Sequence, residues 1–72
     1  MSQPLINRMK TDDINQVLEF NQKFPTRGEY LIDTLMESHN WLTLEYDVII
    51  LLNDVFNCGY NPTAVSELFK NK

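Results

Sequence analysis

The chain has 72 residues, of which 43% are hydrophobic, and a formal net charge of −4 at pH 7. A chain of this length forms at most one domain, and it buries only roughly 60% of the surface that its unfolded form exposes. Its single cysteine, Cys58, has no partner for an internal disulfide, and no cysteine or histidine pair has zinc-ligand spacing. The fold must therefore be held by apolar packing, with Cys58 as a small side chain at a helix end rather than a redox group.

The charge pattern argues against nucleic acid and membrane partners. Residues 11–54 carry nine acids against two cations, Lys23 and Arg27. Phosphate backbones are bound by clustered lysine and arginine, which this segment lacks. The first residues lack the long apolar core of a signal peptide, and the longest apolar run, residues 48–52, is far below the about 20 residues that span a bilayer. We expect a soluble cytoplasmic protein.

The first predicted helix follows a short polar segment. Residues 1–10 contain Pro4 and show no helical period, so we predict a flexible N-terminal arm and a single helical domain over residues 11–72. Thr11 and the two aspartates after it have the composition of a helix start, and Pro25 ends the pattern. Between them, one helical stripe comprises Ile14, Val17, Leu18, Asn21 and Phe24.

The second predicted helix starts at a capping box. Thr26 and Glu29 have the spacing at which the side chain of each residue accepts a hydrogen bond from the backbone N–H of the other. Gly28, inside that box, reads as helix punctuation. The apolar face holds Leu31, Ile32, Leu35 and Met36. The helix should fade between residues 38 and 40, where Trp41 is predicted to fill the joint with the next helix.

The third predicted helix spans residues 44–58 and is apolar on nearly every side. Thr43 is its predicted N-cap, and Gly59 is its predicted left-handed stop. The β-branched and aromatic residues of 46–56 also allow a strand. Helix is favoured because this stretch is long, contains no glycine or proline, and has no hairpin dipeptide nearby.

A fourth helix is predicted from Pro62 to about Lys70, capped by Asn61. Together these elements predict an all-α fold, a compact bundle of three to four short helices with helix 44–58 central.

Catalytic and ligand motifs are missing from this pattern. His39, the single histidine, falls at the end of the second helix, where a helix C-terminal or joint-packing role is the simpler interpretation. Asp12 and Asp13 are explained by the helix dipole, and Gly28 and Gly59 by helix punctuation, which leaves no phosphate loop. We expect no enzyme, no cofactor and no metal site.

One stripe of the third helix is a candidate binding surface for another protein. If the larger apolar side chains face inward, the opposite side carries Tyr46, Ile50, Asn53 and Asn57. Tyr60 could complete this patch, or could pack back on the helix end in a Schellman motif. Its mixture of aromatic, aliphatic and amide groups suits an interface. The alternatives are that the N-terminal arm covers it, or that a second copy does, as in a homodimer.

Residues 44–65 resemble the core of the MOZART family of mitotic-spindle organising proteins. The similarity lies in an acid after Leu44, an apolar helix, glycine-x-asparagine-proline at Gly59–Pro62, and a following helix. That resemblance implies a small helical adaptor that binds N-terminal extensions of γ-tubulin complex proteins. Thr63 departs from the acid usual in the family, and residues 1–29 have no counterpart.

Two other functions fit parts of the pattern. Phe24-Pro25-Thr26 before a helix, with Leu44 to Leu52, is similar to the C-terminal module of DnaD and DnaB-type helicase loaders, although the terminal aromatic pattern of that module is missing. Small size and acidity also suit a phage-type inhibitor of a host replication or transcription protein. In each case we expect a non-catalytic interaction protein.

Overall fold

The computed structural model describes residues 3–57, and within them the chain forms three α-helices and two short 3₁₀ helices. The α-helices are α1 (Thr11–Lys23), α2 (Pro25–Glu37) and α3 (Tyr46–Phe56), and the 3₁₀ helices are Leu5–Arg8 and Trp41–Thr43. No strand occurs in this part of the chain. The predicted all-α class is confirmed, and the strand alternative for residues 46–56 is wrong.

A single residue, Phe24, separates α1 from α2. Its N–H donates to the carbonyl of Phe20 at 2.8 Å, and its own carbonyl accepts from the N–H of Gly28 at 2.7 Å. Pro25 is the first residue of α2, a position where proline has no amide to leave unsatisfied and its fixed φ suits the helix. Because proline disfavours helical geometry in the residue before it, Phe24 adopts φ −133° and ψ 77° and breaks the helix.

The capping box predicted at Thr26 is therefore wrong. α2 begins one residue earlier than Thr26, and no side chain caps its N-terminus. The proline sets the start of the helix, so Thr26 is its second residue and Glu29 lies beyond the first turn, and neither is placed to cap the other.

Gly28 is a packing residue, which corrects its interpretation as punctuation. It is buried in α2. A Cβ atom there would collide with the Cα of Asn21 in α1 and would lie 2.6 Å from the Oδ1 and 2.7 Å from the Cβ of that residue. The backbones of α1 and α2 approach closely here because glycine has no side chain.

α3 begins later than predicted and without a threonine cap. Glu45 is the N-cap residue, and its carbonyl accepts from the N–H groups of Val48 at 3.0 Å and Ile49 at 3.2 Å. Thr43 instead donates its hydroxyl to the carbonyl of Asn40 at 2.8 Å, so it closes the turn before the helix. Asp47 places a negative charge in the first turn, where the helix dipole favours it.

The C-terminus of α3 also differs from prediction. The helix ends at Phe56, and Asn57 takes the left-handed conformation with φ 53°. Its N–H donates to the carbonyl of Asn53 at 2.6 Å. Asparagine is the residue that most readily replaces glycine in this conformation. The stop predicted at Gly59 and the predicted fourth helix lie outside the described residues.

The core forms one cluster to which every described helix contributes. α2 packs against α1, α3 and the N-terminal 3₁₀ helix, and α1 also contacts α3. α3 is the most buried of the three, consistent with its predicted central place. The buried apolar residues are Leu5, Met9, Val17, Leu31, Leu35, Leu44, Val48, Ile49, Leu51 and Leu52. Trp41 packs half-buried against this cluster, as predicted for a side chain at the joint.

The N-terminal segment is part of the core, which corrects the predicted flexible arm for the described residues. Leu5 is fully buried and Met9 is 4% exposed. Leu5 begins the 3₁₀ helix, and Met9 follows it in an extended conformation, with φ −88° and ψ 154°. The N–H of Leu5 donates to the carbonyl of Ser38 at 2.8 Å, and the guanidinium of Arg8 donates to the carbonyl of His39 at 3.0 Å.

Candidate functional site

The residues considered for catalysis do not converge in the described structure. His39 is exposed and lies two residues after the end of α2, which agrees with the predicted helix C-terminal position but not with the alternative of packing in the joint. Asp12 and Asp13 lie in the first turn of α1, where the helix dipole favours acids. Within residues 3–57, no group of three or more histidine, cysteine, aspartate or glutamate side chains could hold a metal ion.

The predicted binding stripe on α3 is only partly presented to solvent. Tyr46 is 66% exposed, and Ile50 is half-buried. Asn53 is only 8% exposed, which corrects its place in the stripe. It follows the buried Ile49 by four residues, so it lies at the edge of the packed face. Asn57 is exposed, and Tyr60 lies outside the described residues.

Tyr46 and Ile50 form what we call the α3 outer face. They are four residues apart in α3, a spacing at which side chains are neighbours on a helix surface. Leu42, in the preceding 3₁₀ helix, is 68% exposed. Its backbone is held by an N–H donated to the Oδ1 of Asn40 at 3.0 Å. Large apolar side chains are therefore exposed both at the start of α3 and in the turn before it.

A hydrogen bond beside this face joins α2 to α3. The hydroxyl of Tyr30 donates to the Oδ2 of Asp47 at 2.9 Å. The bond to that carboxylate is the main cause that raises the pKa of Tyr30 above its ordinary value of 10.0, with desolvation and the charge of Glu45 adding to it. Sequence reasoning missed this pair because the two residues are far apart in the chain and neither lies on an apolar stripe.

The raised pKa predicts a stability contribution that disappears in alkali. Below pH 10 the hydroxyl is protonated in both the folded and the unfolded chain, so the hydrogen bond contributes fully. As the pH rises through the higher pKa of the folded state, deprotonation removes the bond and its contribution is lost. Asp47→Asn should lower the pKa of Tyr30 towards its ordinary value. Spectrophotometric titration of tyrosinate, with Tyr30→Phe identifying the Tyr30 signal, measures this shift; an unchanged titration would contradict the bond.

An open groove of about 430 Å³ lies where the later turns of α1, the start of α2 and the end of α3 meet. Its apolar wall comes from Phe20, Phe24 and Val55. The rings of Phe20 and Phe24 are 5.2 Å apart between centroids and tilted by 42°. Sequence analysis placed Phe24 on the inward stripe of α1. Phe24 is instead 47% exposed, because the helix breaks at this residue. Leu18, on the same predicted stripe, is also 47% exposed.

Both cations and acids line this groove. Lys23 and Arg27, the two cations of residues 11–54, both line it and flank Phe24 along the chain. The guanidinium carbon of Arg27 lies 6.0 Å from the centroid of the Phe24 ring, within the range of a cation–π contact. Glu19 and Asp54 also line the groove. We call this site, defined by Phe20, Phe24, Val55, Lys23 and Arg27, the Phe24 groove.

No protein-family model, curated protein or solved structure matches this chain. In the part of the chain that the structure describes, no helix has both the length and the apolar character needed to cross a membrane.

Proposed function

We propose that this protein is a non-catalytic interaction protein that binds another protein through the α3 outer face. The observation that carries the proposal is the exposure of Tyr46, at 66%, one helical turn from Ile50. Aromatic residues are enriched among the few side chains that supply most of the binding energy at interfaces. A free tyrosine beside an aliphatic neighbour provides such an anchor without disturbing the core.

The position of the N-terminal segment supports this surface being left uncovered by the described part of the chain. One alternative was that the first ten residues cover the stripe on α3. The 3₁₀ helix Leu5–Arg8 instead packs on α2 and bonds to Ser38, and Tyr46 stays exposed. A second copy of the chain remains the competing occupant.

The partner proposed first follows from the MOZART resemblance. The resembling segment, residues 44–65, includes all of α3 and therefore the α3 outer face. In its specific form, the proposal is a MOZART-like subunit that binds an N-terminal extension of a γ-tubulin complex protein. Capture of a host replication or transcription protein would indicate the phage-type inhibitor, and capture of a replicative helicase would indicate the loader module.

Tyr46→Asp is expected to abolish partner capture while the chain stays folded. Tyr46 is the first residue of α3, where an added carboxylate is favourable to the helix dipole. The same charge at the centre of an apolar interface would be desolvated without a partner. Pull-down from the native cell with wild-type and Tyr46→Asp baits, followed by identification of the bound protein and binding assays with that protein purified, measures the effect. Far-ultraviolet circular dichroism checks the fold.

Two controls make this test specific. Leu18→Asp places the same charge on an apolar side chain of α1 that is 47% exposed, and it should leave capture intact. Tyr46→Phe should retain most of the binding because it keeps the ring. Undiminished capture by Tyr46→Asp would reject the α3 outer face. Sedimentation equilibrium showing a dimer that Tyr46→Asp dissociates would assign the face to a second copy.

A further inference from the structure

The Phe24 groove presents an aromatic residue whose backbone is held in place. The N–H and the carbonyl of Phe24 both form backbone hydrogen bonds, to Phe20 and from Gly28 respectively. Pro25 restricts the same residue from the other side. Phe24, which is 47% exposed, thus has a restricted backbone, and the ring of Phe20 lies beside its own ring. A ligand that contacts it meets a preorganised surface and loses little further chain entropy on the protein's side.

The two cations beside this ring contrast with the net negative charge of the chain, while the groove as a whole is lined by two cations and two acids. The protein has a net charge of −4, yet Lys23 and Arg27 lie on either side of Phe24 in the chain. Both line the groove, and Arg27 lies near the ring face. An acidic ligand, disfavoured by the net charge of the protein, can pair with these two cations, and such charge complementarity governs which partner binds and how fast.

The remaining wall limits what fits. Val55 adds an aliphatic side chain to the lining, while Glu19 and Asp54 are acceptors that suit backbone or side-chain N–H donors. A strand of nucleic acid would bring phosphates towards these two carboxylates as well as towards the cations. A peptide places a single carboxylate at the cationic edge and its amides elsewhere, so the mixed charges favour a peptide.

We propose that the Phe24 groove binds a short acidic segment of a partner protein, in which an apolar side chain stands next to an aspartate or glutamate. The apolar group packs between Phe20, Phe24 and Val55, and the carboxylate pairs with Lys23 and Arg27. This inference shares with the proposed function the premise that the chain binds proteins. It adds a second site, because Asp54 lies eight residues after Tyr46, about 12 Å along the axis of α3.

Selection of short random peptides displayed on phage against the immobilised full-length chain tests this groove. Selected peptides should be enriched in an apolar residue adjacent to aspartate or glutamate. For one such peptide, labelled and titrated by fluorescence anisotropy, Phe24→Ala and Arg27→Glu should each weaken binding at least about tenfold, as expected for interface anchors. Lys10→Glu, which reverses an exposed cation at the other end of α1, should change it by less than about twofold.

The outcomes separate this proposal from the proposed function. Tyr46→Asp should leave the affinity for the peptide unchanged. If Tyr46→Asp abolishes peptide binding and Phe24→Ala does not, the proposal for the Phe24 groove is rejected, while the proposal for the α3 outer face stands. Peptides without enriched acids, or no selected peptides, also overturn it. So does a single-stranded oligonucleotide that binds in a Phe24-dependent way, or self-association that Phe24→Ala abolishes. If Phe24→Ala loses its helical circular dichroism signal, Arg27→Glu still tests the groove, because Arg27 is exposed and its substitution should leave the fold intact.

Discussion

Leu52→Ala is expected to destabilise the fold by about 2 to 5 kcal/mol. Leu52 is fully buried in α3, in the one core cluster that all three α-helices share. Removing most of its side chain loses apolar burial and leaves a cavity that the surrounding helices fill only in part. Since the whole stability of a chain of this length is roughly 4 to 11 kcal/mol, this single change removes a large part of it.

Thermal denaturation followed by circular dichroism measures the effect of Leu52→Ala. The melting temperature should fall by about 10 °C or more, or the variant should be unfolded at room temperature. Leu42→Ala is the matched control, because it deletes the same atoms from a side chain that is 68% exposed. It should change stability by less than about 0.5 kcal/mol. Equal melting of the two variants would show that α3 is not packed as described.

Gly28→Ala is expected to destabilise the protein by about 1 to 3 kcal/mol, the usual range for overpacking. At an exposed helical position the same change would stabilise by up to about 1 kcal/mol, because alanine has the higher helix propensity. The sign reverses here because the new Cβ meets the backbone of Asn21. The two helices must move apart, which separates side chains throughout their contact.

The Asn21 backbone provides a second diagnostic for this crossing. Asn21→Ala removes the Oδ1 that lies 2.6 Å from the added Cβ but leaves the Cα in place. The double variant should therefore remain destabilised relative to Asn21→Ala. Glu29→Ala, at an exposed position next to Gly28, should change stability by less than about 0.5 kcal/mol. Urea denaturation curves compare these variants, and a stabilised Gly28→Ala would exclude the close approach.

The part of the fold that sequence predicted best is the buried rod of α3. Its run of aliphatic residues, without glycine or proline, leaves few alternatives to a helix covered on most sides. The boundaries were less accurate: α3 begins at Tyr46 and ends at Phe56, inside the predicted 44–58. Thr43 and Gly59 are good capping residues, but Glu45 and Asn57 occupy the caps because the preceding turn and the core fix where the helix emerges.

Other features depend on neighbours that a helical period does not identify. Leu5 and Met9 lie in a segment too short to show a period, and their burial requires the surface of α2 to be present. The period of α3 placed Asn53 near the outer side, whereas packing on the flank of the helix covers it. The Phe24 groove depends on how three helix ends meet, so no local pattern could have predicted it. The one sequence signal for this groove was the presence of two cations on either side of an aromatic residue in an acidic chain.

The single-residue elbow at Phe24 makes α1 and α2 one mechanical unit. Any hinge there would have to break the backbone hydrogen bonds on both sides of that residue and separate the helices at Gly28. By contrast, eight residues, 38–45, connect α2 to α3. The direction of α3 relative to α2 is therefore set by many more backbone dihedral angles than the direction of α2 relative to α1, and a molecule bound at Phe24 would contact two helices that move together.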